Sequence, residues 1–180
     1  MKLGLCRGKV VVEPHDSEWE INAQQTITML KKILGTLILD AQHIGSTSIR
    51  SICAKPIIDI VVGVSSFHVL PEMIQLLENN GFIYRGQDQP DQYLFICGDN
   101  DARTHHIHVV IHGSNVWNDY VNMRDYLNSH VEDAAAYSAL KEFLAKQYPD
   151  DRGTYTAMKS DMIKEILMKA SDWRKGQSTS

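Results

Sequence analysis

Apolar residues fall into helical register soon after the chain begins. Trp19, Ile27, Leu30 and Leu34 lie on or near one stripe, and Gly35 stops it. Ser17 and Glu20 have the spacing of a capping box, with Ser17 accepting from the Glu20 backbone and Glu20 reaching back. Ahead of this helix, residues 9–12 predict a short strand that ends at Pro14, and residues 36–40 predict another, or the approach to one. Residues 57–62 are β-branched and nearly all apolar, as in a strand buried on both faces. Phe67, Leu70, Ile74 and Leu77 predict a helix over 67–80, closed by Asn79, Asn80 and Gly81. Strands follow over 92–97 and 104–111, joined by turn-forming residues 98–101.

After Gly113 the pattern is helical to the end. Trp117, Tyr120, Val121, Arg124 and Leu127 keep the spacing, and so do Tyr137, Leu140 and Leu144. Pro149, Asp150 and Asp151 interrupt it. A last stripe runs through Met158, Met162, Ile163, Ile166, Leu167 and Ala170, with Met158 and Met162 expected in the core. Strands first and helices afterwards predict an α+β architecture. The expected division is an α/β core over 1–113, a helical subdomain packed on it over 114–172, and a frayed tail over 173–180.

Composition narrows the function classes. The chain has 180 residues, 43% of them hydrophobic and 22% charged, enough to build a core without disulfides or a structural metal. A formal charge of −4 argues against broad nucleic-acid binding, though a local basic groove is compatible with it. Cys6, Cys53 and Cys97 are odd in number and far apart, which predicts reduced thiols and a cytoplasmic protein. The first residues lack the apolar run of a signal peptide, and no stretch approaches the ~20 apolar residues of a membrane span.

The chemistry concentrates between residues 43 and 59. Gly45, Ser46, Thr47 and Ser48 offer open backbone N–H groups and three hydroxyls in a run that suits a phosphate cradle, although such a run is also a plain turn. Lys55 supplies a compact cation nearby, or with Pro56 merely starts a strand. Asp59 is a lone carboxylate in an apolar strand. Burying it unpaired would cost several kcal/mol, so it must sit at a cleft, be paired, or hold a metal. His106 and His108 alternate onto one face of their strand. If that strand neighbours the one with Asp59, two imidazoles and a carboxylate converge, a set suited to Mn²⁺, Fe²⁺ or Zn²⁺ more than to Mg²⁺. Both histidines could instead hydrogen-bond the Gly45–Ser46 loop or a phosphate. His43 either lines the site or pins the loop through one ring nitrogen. In the helical half, Lys141, Arg152 and Lys159 are candidates to hold a triphosphate, against the alternative of solvated helix charges. Tyr155 and Lys159 share a helix face and could grip a base and its phosphates.

Gly-Ser, about a dozen residues, then Asp on an apolar strand is similar to the pattern of the nucleotidyltransferase superfamily. More closely, the segments His43 to Ser48, Ala54 to Ile60, His106 to Val109, Arg124 to Leu127 and Tyr155 to Lys159 resemble the GrpB family of bacterial proteins. The resemblance spans roughly residues 11–170. It implies a nucleotidyltransferase-like mixed sheet with flanking helices, followed by a helical half, and a site at the Gly45–Ser46 loop and Asp59. In some bacteria, domains of this family are joined to a dephospho-CoA kinase. Two departures stand out. Val61 occupies the position of the superfamily's second carboxylate, and residues 49–52, with Arg50, replace the Val-Pro-Gly-like turn of many relatives.

Three functions follow as expectations. The first is metal-dependent transfer of a nucleoside monophosphate from an NTP co-substrate to a small-molecule or protein acceptor. Here Asp59 holds a divalent ion (Mg²⁺ or Mn²⁺), His106 and His108 serve as further metal ligands or as base for the acceptor hydroxyl, and Gly45, Ser46, Thr47, Ser48, Lys55, Lys141, Tyr155 and Lys159 bind the nucleotide. The second is a binding module that keeps the phosphate loop and has lost transfer, with a nucleotide or CoA-like ligand. The third is metal-dependent phosphoester hydrolysis at Asp59, His106 and His108.

Overall fold

A computed structural model describes residues 3–6, 8–98 and 102–177. One mixed sheet organises the first part. Its strands are β1 (Leu5–Cys6), β2 (Asp40–Ile44), β3 (Ile58–Val64), β4 (Ile83–Gln89), β5 (Gln92–Gly98) and β6 (Ala102–Ile111). The order is β2-β3-β6-β5-β4, with β1 pairing to β6. β3 and β6 are parallel at the centre, and the other pairings are antiparallel.

Alternation assigns the two faces of β3. Ile58, Ile60, Val62 and Val64 join Ile107 and Val109 of β6 in the main core, under α1 (Glu18–Leu34) and α2 (Leu70–Glu78). Burying such side chains is worth roughly 1.5–3 kcal/mol each, which is why this strand reads as a near-continuous apolar run. On the other face Ile44, Val61 and Val110 pack against Trp117 of α3 (Asn115–Ser129). A third cluster joins Ile49 and Ile52 to Tyr126, Leu127, Ala134, Tyr137, Ile166 and Ala170 from α3, α4 (Val131–Gln147) and α6 (Ser160–Gln177). A short helix, α5 (Arg152–Met158), sits between α4 and α6. Among the described residues, no helix is long and apolar enough to cross a membrane.

Several local expectations are corrected. Residues 9–12 form no strand. The Val10 N–H donates to the Pro149 carbonyl at 2.7 Å and its side chain buries with Leu144 and Tyr155, so tertiary packing claims this segment and the strand lies earlier, at β1. The capping box does not form. Ser17 already has helical backbone angles, Asp16 Oδ1 accepts from the Glu18 N–H at 2.9 Å, and Glu20 turns away to Arg50 at 2.8 Å. Residues 36–39 are the approach, through a 3-10 turn over Gly35–Leu37, and residue 40 opens the strand itself, β2. β4 was not expected, because its largely polar sequence lies at the sheet edge with one face in solvent and its pairing is irregular at Gly86. Residues 99–101 of the expected turn lie outside the described residues. Met158 is 55% exposed rather than in the core, whereas Met162 is partly buried. α6 continues past residue 172 to Gln177, because Trp173 packs on Tyr126 and His130, and Arg174 pairs with Asp125. Residues 178–180 lie outside the description.

Candidate functional site

The parallel register of β3 and β6 sets Asp59 beside His106 and Val61 beside His108. All four therefore project from the face opposite the main core. Asp59 Oδ1 lies 3.0 Å from His106 Nδ1 and 3.4 Å from His108 Nε2. Burial alone would raise the Asp59 pKa, but hydrogen bonds from the two histidines outweigh it and hold the carboxyl well below the usual range. One donor atom from each of the three residues falls within 4.8 Å of the others, a group that could hold a metal ion. Two imidazoles and one carboxylate suit a single borderline divalent ion. The outer nitrogens, His106 Nε2 and His108 Nδ1, are buried without hydrogen-bond partners among the described residues, so Asp59 holds the rings on their inner side and packing alone holds the outer side.

The second-carboxylate position is sealed. Val61 is fully buried among Ile44, Val110 and Trp117, where α3 covers the sheet. A charge there would be desolvated by that helix.

The hydroxyl-rich loop lies directly against the acid. Gly45 has φ 70°, and a Cβ at this position would stand 2.6 Å from Asp59 Oδ2 and 2.9 Å from Asp59 Cβ. Only glycine meets both demands, the left-handed backbone and the close approach. Ser46, Thr47 and Ser48 then make a 3-10 turn. The Ser48 hydroxyl donates to the Gly45 carbonyl at 2.6 Å, and the Thr47 hydroxyl donates to the Ile57 carbonyl at 3.4 Å. His43 Nε2 is 2.9 Å from Thr47 Oγ1, so His43 pins the loop, and burial lowers its pKa to about 4, keeping it neutral. Thr47 and Ser48 thus use their hydroxyls inside the turn, and Ser46 is the member whose side chain reaches the cleft. Arg50 points into solvent and pairs with Glu20.

That cleft, about 240 Å³, is lined by Ser46, Lys55, Asp59 and His106 on the sheet side. From the helical side it receives Lys141, Arg152, Tyr155 and Lys159. Wider grooves, of about 820 and 680 Å³, run along α1 and beside residues 10–15, away from the Asp59 cluster. The cleft carries the chemistry because four cations meet one carboxylate there. Burial, reinforced by Lys159 and Arg152, lowers the Lys55 pKa to about 7. Burial lowers Lys141 to about 7 and Lys159 to about 8. Lys141 is only 1% exposed, donates to the Cys53 carbonyl, and sits 4.7 Å from the Tyr137 ring centroid. Lys55 and Lys159 stand 4.1 and 4.5 Å from the Tyr155 ring centroid. Tyr155 therefore serves as a platform for two ammonium groups.

Residues 9–169 match the sequence profile of the family described as GrpB protein. The chain belongs to the GrpB family. The glutamate-rich protein GrpB of Alkalihalophilus pseudofirmus is 35% identical over 170 residues, covering 92% of this chain and 98% of its own. A crystal structure of the conserved protein GrpB from Enterococcus faecalis superposes with a TM-score of 0.82 at 30% identity, over 89% of this chain and 96% of that one. A crystal structure of the Cid1 poly(U) polymerase with Mg 3′-dATP bound gives a TM-score of 0.52 at 16% identity, over 75% of this chain and 43% of that one. The last likeness concerns the fold alone. The nucleotidyltransferase-like mixed sheet with flanking helices and a helical C-terminal part is borne out.

Three neighbours of the site escaped the sequence reading. Tyr120 packs its ring 5.3 Å from that of His108 and donates its hydroxyl to Gln92 Oε1 at 2.7 Å. Gln92 is buried and donates in turn to Asp88. Tyr137 approaches Ser46 from α4, and burial raises its pKa to about 12. In the sequence both tyrosines are simply members of apolar helical stripes, and Gln92 opens a strand. Nothing local marks them.

Proposed function

We propose that this GrpB-family cleft seats the phosphate chain of a nucleoside triphosphate and supports transfer of the nucleoside monophosphate to a small-molecule or protein acceptor. The observation that carries the reading is the meeting of the lysine cluster with Asp59 and His106 in one cleft. Lys55, Arg152 and Lys159 neutralise phosphate oxygens, and Lys141 adds charge from beneath. Ser46 offers its hydroxyl at the cleft wall, and Gly45 lets the loop that carries it close directly against Asp59. Asp59, His106 and His108 would hold one divalent ion, Mn²⁺ fitting the imidazole donors better than Mg²⁺, and such an ion supplies charge neutralisation at the transferring phosphate. The acceptor hydroxyl approaches from the open side of the cleft. A small or protein acceptor suits the chain's net charge of −4, and a cytoplasmic setting would supply the nucleotide.

Incubation with α-labelled NTPs, Mn²⁺ or Mg²⁺ and a panel of metabolites and proteins tests the proposal. Label transfer with pyrophosphate release is expected. Binding of NTP without any pyrophosphate release would favour the second reading, a module that binds a nucleotide or CoA-like ligand and no longer transfers. The sealed Val61 position supports that second reading, since it leaves a single carboxylate where paired carboxylates serve two-metal transfer. Titration with ATP, dephospho-CoA and CoA distinguishes its ligands. Release of inorganic phosphate from phosphoesters would point instead to hydrolysis.

A further inference from the structure

Four cations enter the cleft from three separate stretches of chain: Lys55 from the segment leading into β3, Lys141 from α4, and Arg152 and Lys159 from α5 and its C-terminal cap. The space they enclose is about 240 Å³. Pockets that engulf a whole drug-sized ligand run from roughly 300 to 1,000 Å³, so a phosphate chain fits this one and a complete nucleotide does not. The aromatic rings at its wall are already engaged. Tyr155, 1% exposed, faces the ammonium groups of Lys55 and Lys159, and Tyr137, 3% exposed, faces that of Lys141. Sequence-tolerant and sequence-selective base binding alike use an open ring face, and these two rings have none to offer.

We propose that the cleft recognises a di- or triphosphate chain as such and leaves the base unread, so that its ligand class is defined by the polyphosphate end. This rests on the phosphate-binding reading above and narrows it. Once a bound phosphate chain holds all four groups in the charged form, they match the four or so negative charges of a triphosphate, the ammonium groups acting as point charges that follow phosphate oxygens rather than the shape of the organic part. Lys55 and Lys159 are set by one shared ring, which fixes their separation before any ligand arrives, and Lys141 is fixed by the Cys53 carbonyl. Such a preformed grip spends little on ordering long side chains. The sugar and base project beyond the Arg152 and Thr156 rim, where an acceptor can reach the α-phosphate that carries the sugar.

Calorimetric titration of the full chain with tripolyphosphate, pyrophosphate, ATP, GTP, CTP, UTP and adenosine tests the inference. Tripolyphosphate and the four NTPs are expected to bind within about threefold of one another, with adenosine at least about a hundredfold weaker. Lys159→Ala and Lys55→Gln are each expected to weaken tripolyphosphate and ATP by the same factor, about tenfold or more, while circular dichroism confirms the fold. Preference for one NTP by about tenfold or more, or ATP binding with no tripolyphosphate binding, overturns the inference and leaves the phosphate-binding reading standing. Binding of none of these compounds overturns both.

Discussion

The two walls of the cleft are built in different ways. The sheet wall places Asp59, His106 and His108 through a single register, and Gly45 locks the loop against the acid at van der Waals limit. The helical wall gathers Lys141, Arg152 and Lys159 from α4, α5 and the junction before α6, and holds the two lysines against aromatic rings and a carbonyl. Backbone geometry fixes the first wall, and side-chain packing fixes the second. The sheet wall should therefore fail all at once when disturbed, and the helical wall should lose its effect one charge at a time.

The sharpest break is Gly45→Val. A β-branched residue at φ 70° with its Cβ 2.6 Å from Asp59 Oδ2 must displace the acid or the loop. Backbone strain of about 1–3 kcal/mol and overpacking of a similar size add. A loss of several kcal/mol in chemical denaturation, with metal and phosphate binding both abolished, is expected. Intact binding of either would show that the contact is not a constraint.

Asp59→Asn comes next. It keeps the shape and removes the one anionic donor of the triad. Affinity for Mn²⁺ or Zn²⁺, read by titration with a competing chelator, should fall by about a hundredfold or more, roughly 2.7 kcal/mol. Phosphate binding in the absence of metal should tighten, since a negative charge has left a cationic cleft. Lys159→Ala should do the reverse. It is expected to cost about tenfold in ATP affinity, near 1.4 kcal/mol, and to leave metal affinity within about twofold. If both substitutions moved both ligands equally, the distinction between the walls would collapse.

The smallest effect is a stability change with a pH signature. Lys141 has a folded pKa of about 7 against an ordinary value of 10.5, so between these values the unfolded chain binds more protons. Its contribution therefore becomes less unfavourable as pH rises through that window, and is fully unfavourable below about 7. Lys141→Met removes the buried charge and should stabilise the protein by about 1 kcal/mol at pH 6, offset in part by the stranded Cys53 carbonyl, with the gain disappearing near pH 10. Thermal denaturation of both chains across pH 6–10 checks the slope. A gain that grows with pH would contradict the assignment.

The same contrast explains what the sequence showed. Asp59 was legible because it broke an apolar run whose burial made a lone carboxylate costly, and His106 and His108 because period-two alternation put them on one face. That the two strands are neighbours needed the sheet. Lys141, Arg152 and Lys159 could be named but not assembled, since each taken alone looks like a solvated helix charge. Their meeting depends on where α5 docks, and Val10, Leu144 and Tyr155 decide that by long-range packing. β4 was missed for a related reason: a polar edge strand owes its existence to its neighbour rather than to its own residues. Ser17 and Glu20 show the opposite failure, a good local motif in which Arg50 captured Glu20 and Asp16 took over the helix end.

β6 pairs with β1, β3 and β5, and its histidines meet an acid 47 and 49 positions earlier in the chain. Two of the triad's three members are therefore delivered by the last strand to emerge during synthesis, after the β4–β5 hairpin has been made. A nascent or partly unfolded chain has no weakened version of this centre. Metal capture thus becomes a report that the central pairing has closed, and added ion should slow hydrogen exchange most at the amides shared by β3 and β6.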